Sequence, residues 1–180
     1  MSDPQQVDPL TGGSERSNWI IMIVLALAMF LIFYFRPFGG PSDGNDPAVG
    51  KKLPSLLLMP LTGDSQPTAL RNLSGKVAMV NFWGTWCPPC RSELPHIADI
   101  EAKYRGREGF QLLAVSCGSG GAEDVTELRR DTAAMLKRMK IDMPTYTDPD
   151  GASRAAFERV AGFDGYPTTF VLDRQGVIRG

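Results

Sequence analysis

One stretch of the chain breaks every amphipathic pattern. Each residue from Trp19 to Phe35 is apolar or aromatic, 17 in a row. No polar face interrupts the run, so it does not read as a helix resting one side on a soluble core. As a helix it would be about 25 Å long, the short end of what crosses a bilayer. Trp19 and Tyr34 stand near its two ends, where interfacial aromatics gather. A cleaved signal peptide fits less well. It would have a basic start, an apolar run of about 7–15 residues and a small-x-small site. Here Asp3, Asp8, Glu15 and Arg16 precede the run, and Phe35-Arg36-Pro37-Phe38 follows it. Residues 1–18 are therefore expected to be a short polar tail and 19–35 an uncleaved transmembrane anchor. Residues 36–52 are rich in Gly, Pro, Ser and Asp without apolar periodicity, and are expected to be a flexible linker.

From residue 53 onward the pattern changes to short apolar runs alternating with amphipathic ones. Ser55 to Met59 reads as a strand ended by Pro60. Val77 to Phe82 and Phe110 to Ser116 are mainly apolar runs of strand length, interrupted only by Asn81 and by Gln111 and Ser116, and read as buried strands. Between them, Leu94, Ile97, Ala98 and Ile100 recur at helical spacing in a helix running to about Tyr104. Glu123 to Met139 is a second amphipathic helix, with Val125, Leu128, Met135, Leu136 and Met139 on its apolar side. Thr145 to Thr147 reads as a short strand, Ser153 to Val160 as a short helix and Thr168 to Leu172 as a strand. Asp173 to Gly176 has the composition of a hairpin turn into Val177–Arg179. Strands alternating with helices predict an α/β domain over 53–180, with a central sheet flanked by helices.

Composition agrees with this division. The 180 residues are 43% hydrophobic, with a formal net charge of −1. Without the anchor the remainder is roughly 37% hydrophobic, an ordinary globular value once its glycines are added. Three cysteines are too few for a disulfide scaffold. From Leu53 onward there are 15 Lys/Arg and 15 Asp/Glu, so no basic stripe points to nucleic acid.

The chemistry concentrates at Cys87-Pro88-Pro89-Cys90, where a strand passes into a helix. Two cysteines three apart can close a small disulfide ring. The N–H groups and dipole of the helix start stabilise a thiolate at Cys87, making it the attacking sulfur. Cys90, one turn further in, is placed to resolve a mixed disulfide. Pro88 and Pro89 stiffen the first turn, where proline is tolerated. A zinc site would need two further ligands, and Cys117 and His96 do not supply a second ligand pair.

The stretch Val80-Asn-Phe-Trp-Gly-Thr-Trp-Cys-Pro-Pro-Cys-Arg-Ser-Glu-Leu-Pro95 resembles the active-site segment of the TlpA/ResA-like thioredoxin-fold proteins. These are membrane-tethered, extracytoplasmic thiol–disulfide oxidoreductases of bacteria, and they include cytochrome c maturation factors. Gly165-Tyr-Pro-Thr-Thr-Phe-Val-Leu-Asp-Arg-Gln-Gly-Val-Ile178 is similar to the same family's segment around its cis-proline. The resemblance spans roughly residues 53–180. It implies a thioredoxin-like fold with a central mixed sheet. It also implies that Cys87 is the nucleophile, Cys90 the resolving thiol, and Glu93 a carboxylate able to relay the proton of Cys90. Trp86 is then expected to pack beside the disulfide, and Pro167, after Tyr166, to be the cis-proline facing it. Trp86, Pro88, Pro89, Tyr166 and Pro167 would line the substrate site. Pro95 matches the proline that kinks the first helix. Asn81 stands where general thioredoxins carry a buried Asp, which removes one proton route and strengthens the case for Glu93. Cys117 is expected to be a small covered residue and His96 a surface or packing residue. The family's fold normally closes with a last helix, so the domain is expected to be truncated at its C-terminus.

The implied partners are a disulfide-bearing protein, such as apocytochrome c, a membrane-bound electron donor and the lipid bilayer. Neither nucleic acid nor a cofactor nor a metal is expected. Positive-inside counting, with Arg16 on one side and Arg36, Lys51 and Lys52 on the other, slightly opposes export of the domain. The resemblance outweighs it and implies an extracytoplasmic, periplasmic head on a single-pass anchor. Two other functions compete. A thiol peroxidase usually has Pro-x-x-x-Thr-x-x-Cys, whereas Thr85 lies only two residues before Cys87. A non-enzymatic copper- or thiol-binding module would use the two thiolates as ligands.

Overall fold

The computed structural model describes residues 21–27, 47–120 and 124–180. Residues 21–27 are helical and present Ile21, Met22, Ile23, Val24, Leu25 and Leu27 to the exterior. The expected anchor, 19–35, extends outside the described residues on both sides of this segment, and the tail 1–18 and linker residues 36–46 lie wholly outside them. The end of the expected linker is not a loose tether: Ala48 is buried in the domain core, Gly50 N donates to Ile178 O at 2.9 Å and Lys52 bridges to Val177. Among the described residues no helix is long and apolar enough to cross a membrane.

The domain is built on one six-stranded mixed sheet. Its strands are β1 (Leu57–Thr62), β2 (Thr68–Ala69), β3 (Val77–Trp83), β4 (Phe110–Ser116), β5 (Thr145–Thr147) and β6 (Thr168–Leu172). Across the sheet they run β2-β1-β5-β4-β3-β6. The centre is parallel: β3 pairs with β4 from Val77↔Phe110 to Trp83↔Ser116, and β4 pairs with β5. The antiparallel partners β6, beside β3, and β1, beside β5, flank it. The helices α1 (Pro88–Tyr104), α2 (Val125–Met139) and α3 (Ala152–Ala161) supply the crossovers.

Side chains on β3 and β4 alternate between two buried layers. Ala78, Val80, Phe82, Leu113 and Val115 join one layer with Phe157 of α3 and Phe170 of β6. Met79, Trp83, Leu112 and Ala114 join the other, with Leu94 and Ile97 of α1 and Met135 and Leu136 of α2. A strand buried on both faces has no polar side, which is why these segments read as mainly apolar runs and not as alternating ones.

Two expected elements differ by two residues or more at a boundary. The first strand is Leu57–Thr62, not Ser55–Met59, and it continues through Pro60. Its register with β5 shifts between Pro60 and Thr62, and such an irregularity accommodates a residue with no N–H. Helix α2 starts at Val125, because the Asp124 carboxylate accepts from the N–H groups of Thr126 and Glu127 at 2.8 and 3.2 Å. Two elements, β2 and a 3₁₀ turn at Leu70–Leu73, are too short to leave a periodic signal. After β6 the Asp173 carboxylate closes the expected turn, accepting from Gln175 N and Val177 N at 2.9 and 3.0 Å. Ile178 then bridges back to Leu172.

Candidate active site

The site forms where β3 ends and α1 begins. Cys87 is the N-cap residue of α1, and Pro88 and Pro89 fill the first two helical positions, where a missing N–H costs nothing. The next available donor is Cys90 N, which lies 3.3 Å from Cys87 Sγ. Cys87 and Cys90 are joined as a disulfide with an S–S distance of 2.09 Å. In the reduced form the same N–H would donate to a Cys87 thiolate, and a charge-assisted bond there lowers the thiol pKa. Both half-cystines are covered, Cys87 at 3% and Cys90 at 1% exposure. The large exposed apolar surface at the site belongs to Trp86, at 44%.

The second wall comes from the segment before β6. The Tyr166–Pro167 peptide is cis, as the resemblance implies, and Tyr166 O lies 3.6 Å from Cys87 Sγ. The Tyr166 ring meets Trp86 edge-on, with centroids 5.3 Å apart, and meets Phe163 in the same way at 5.2 Å. Trp86 Nε1 donates to the carbonyl of Cys117 at 3.1 Å. Trp86, Cys87, Cys90, Tyr166 and Pro167 are thus brought together. Pro88 and Pro89 are exposed beside them. Beyond Trp86 a cleft of about 300 Å³ opens between Thr85, the 118–120 loop and the start of α2.

Glu93 follows Cys90 by three residues on α1, close to the same helix face. It is half-buried, and burial raises its carboxyl pKa above the ordinary value while the neighbouring His96 pulls it back. His96 is exposed, as expected of a surface residue. Asn81 is 1% exposed, and its Nδ2 donates to Thr169 Oγ1 at 2.9 Å. Cys117 is covered at 5% exposure, as expected. Helix α1 continues through Pro95 to Tyr104.

Sequence reasoning passed over Gly84. A Cβ there would lie 2.5 Å from Trp86 Nε1, 2.7 Å from Trp86 Cε2 and 3.0 Å from Cys117 O. Its missing side chain is the seat of the indole, and its place between two tryptophans was the available signal. Gly84→Ala should displace the Trp86 ring and break its bond to Cys117 O. Loss of that part-buried bond and the forced shift together should cost about 1–3 kcal/mol of stability. Urea unfolding, with Trp86→Ala as the reference, would check this. An unchanged midpoint would contradict it.

A family model described as the AhpC/TSA family matches residues 49–180. The chain belongs to the AhpC/TSA family. Among its relatives, the thiol-disulfide oxidoreductase ResA of Geobacillus thermodenitrificans is 28% identical over 160 residues, covering 89% of this chain and 82% of that one. ResA of Bacillus cereus is 26% identical over 159 residues, covering 88% and 82%. A thiol:disulfide interchange protein of the thioredoxin family from Chlorobium tepidum is 28% identical, with a TM-score of 0.57 over 73% of this chain and 83% of that one. The fold is thioredoxin-like, and this AhpC/TSA member is a thiol–disulfide oxidoreductase.

Proposed function

We propose that the chain reduces specific protein disulfides outside the cytoplasm through Cys87 and Cys90, held at a membrane by residues 19–35. The observation that carries the chemistry is the Cys87–Cys90 disulfide at a helix start, with Cys90 N aimed at Cys87 Sγ. In the dithiol form the Cys87 thiolate attacks one sulfur of the substrate disulfide. A mixed disulfide forms, and the other substrate sulfur leaves as a thiol. Cys90 loses its proton and attacks Cys87 Sγ, which releases the second substrate thiol. Two electrons have passed to the substrate, and Cys87–Cys90 is again a disulfide. A membrane-bound donor then restores the dithiol. The choice of reduction over oxidation rests on the likeness to ResA-type proteins.

The Tyr166 carbonyl and the exposed Trp86 ring form the surface that meets an extended substrate segment. Pro167 offers that segment no N–H, and Pro88 and Pro89 flank the approach. Glu93 serves as the base for Cys90. Burial disfavours its charged form, so it holds a proton to higher pH than a surface carboxylate does. It becomes a base only above that raised pKa. In Glu93→Gln the resolving step should lose the rise in rate that accompanies this ionisation, a loss of up to about 100-fold. Stopped-flow measurement of the second step across pH 4–8 would show it, and superimposable profiles would remove Glu93 from the mechanism. The stability effect has the opposite sign. The folded protein holds the proton more tightly than the unfolded chain, so stability falls as pH rises between the two pKa values. The glutamine variant should escape that fall.

The 17-residue apolar run supports single-pass anchoring, with 1–18 as tail, 36–46 as linker and a redox domain that begins near Ala48. Apocytochrome c, whose Cys-x-x-Cys-His haem site forms a disulfide of the right kind, is the proposed substrate. Direct transfer is the test of activity. The reduced chain should lose two thiols for every two that a disulfide protein gains, and loss without matching gain would refute it. A C-terminal reporter should be active outside the cytoplasm, and activity only inside would overturn the placement.

A further inference from the structure

Tyr166 is held at both ends. Its carbonyl oxygen lies 3.6 Å from Cys87 Sγ. Its hydroxyl accepts a hydrogen bond from Arg154 Nη1 at 2.6 Å. Between these points its ring supports Trp86 on one side and leans on Phe163 on the other. We propose that Arg154 is a positioning residue for disulfide exchange, fixing Tyr166 as the wall against which an extended substrate lies beside Cys87. This inference rests on the oxidoreductase reading above.

Arg154 suits this work because its own backbone is fixed. Its N–H donates to Asp148 Oδ2 at 2.7 Å, and the N–H of Ser153 donates to Asp148 Oδ1 at 3.1 Å. Asp148 is itself buried. Ser153 Oγ joins the start of α3 to β1, accepting from Leu57 N at 3.0 Å and donating to Leu57 O at 2.9 Å. The guanidinium is therefore delivered from a frame tied into the sheet. A bond from a charged donor is stronger than a neutral one, and the planar guanidinium fixes direction better than an ammonium does. Burial, together with the neighbouring Cys117, pushes the Tyr166 hydroxyl up to about 12. Tyr166 thus stays neutral while a cysteine thiol titrates, and the bond from Arg154 persists throughout.

Arg154 does not touch the reacting sulfurs. Its loss should leave Cys87 chemistry largely intact and loosen the wall that orients a peptide. The test compares two chromogenic disulfides with the same leaving group. One is cysteamine carrying 5-thio-2-nitrobenzoate, and the other is an octapeptide whose single cysteine carries it. With either, the Cys87 thiolate displaces 5-thio-2-nitrobenzoate, and Cys90 then displaces the bound thiol to regenerate the protein disulfide. The readout is the peptide-to-cysteamine ratio of second-order rate constants for the reduced full chain. In Arg154→Met, which keeps much of the apolar stem, this ratio should fall roughly fivefold to tenfold. Arg154→Lys should recover part of it.

An unchanged ratio in Arg154→Met would overturn the inference and leave the oxidoreductase reading intact. A proportional fall of both rates, together with a lower Tm, would reduce Arg154 to a structural role and also overturn it. Failure of the reduced unsubstituted chain to release chromophore from either compound would overturn the underlying reading, and this inference with it.

Discussion

With Cys90→Ser, exchange should stop after its first half, leaving Cys87 in a stable mixed disulfide with substrate. The roles follow from position. Cys87 caps the helix and receives Cys90 N, whereas Cys90 lies inside the first turn at 1% exposure. The sulfur at the helix end gains from the N–H and the dipole, so it is the better thiolate. Serine at 90 cannot displace the substrate thiol, so turnover should drop below detection while a covalent adduct accumulates. Cys87→Ser should lose both turnover and adduct. Non-reducing electrophoresis and mass spectrometry of membranes containing the Cys90→Ser chain would check this and identify the substrate by its attached cysteine. Adduct formation through Cys90 in the Cys87→Ser chain, with none in the converse variant, would reverse the assignment.

The largest effect on stability should come from Phe157→Ala. Phe157 is fully covered, stacks on Phe170 with centroids 4.4 Å apart and meets Phe82 edge-on at 5.5 Å. Phe82 also touches Phe163, which in turn supports Tyr166. Removing this ring leaves a cavity at the centre of one core layer, at a cost of about 3–5 kcal/mol. A domain of this kind has only about 5–15 kcal/mol in total, so the variant should melt roughly 10–20 °C lower. Phe157→Leu should lose less than half as much. Calorimetry of the two variants would check the order, and a fall of under 1 kcal/mol for alanine would contradict the packing described.

Much of this architecture was legible because burial imposes periodicity. The strands Phe110–Ser116, Thr145–Thr147 and Thr168–Leu172 have the limits their residues predict, and α1 ends at Tyr104 as its apolar spacing requires. The first strand was harder to place. Proline reads as a stop, yet a register shift lets β1 pass through Pro60. The disulfide pair was legible from local chemistry alone. The contacts supporting it were not, since they join residues distant in sequence. Trp86 reaches the carbonyl of Cys117, and Arg154 reaches from α3 to Tyr166 in the segment before β6. Gly84 matters through what it leaves out, and only the position of the indole reveals that.

The central claim is that Cys87 and Cys90 form a reversible two-electron couple poised to reduce protein disulfides. Its most direct test is a redox titration of the purified chain, with thiols alkylated at each poise and counted by mass. We predict a single transition in which both thiols appear together, with a tenfold change in ratio for every ~30 mV. Its midpoint should lie nearer the thioredoxin value of about −270 mV than the strongly oxidising value of about −120 mV. A pair that resists reduction throughout, or a midpoint at the oxidising end, would contradict the account.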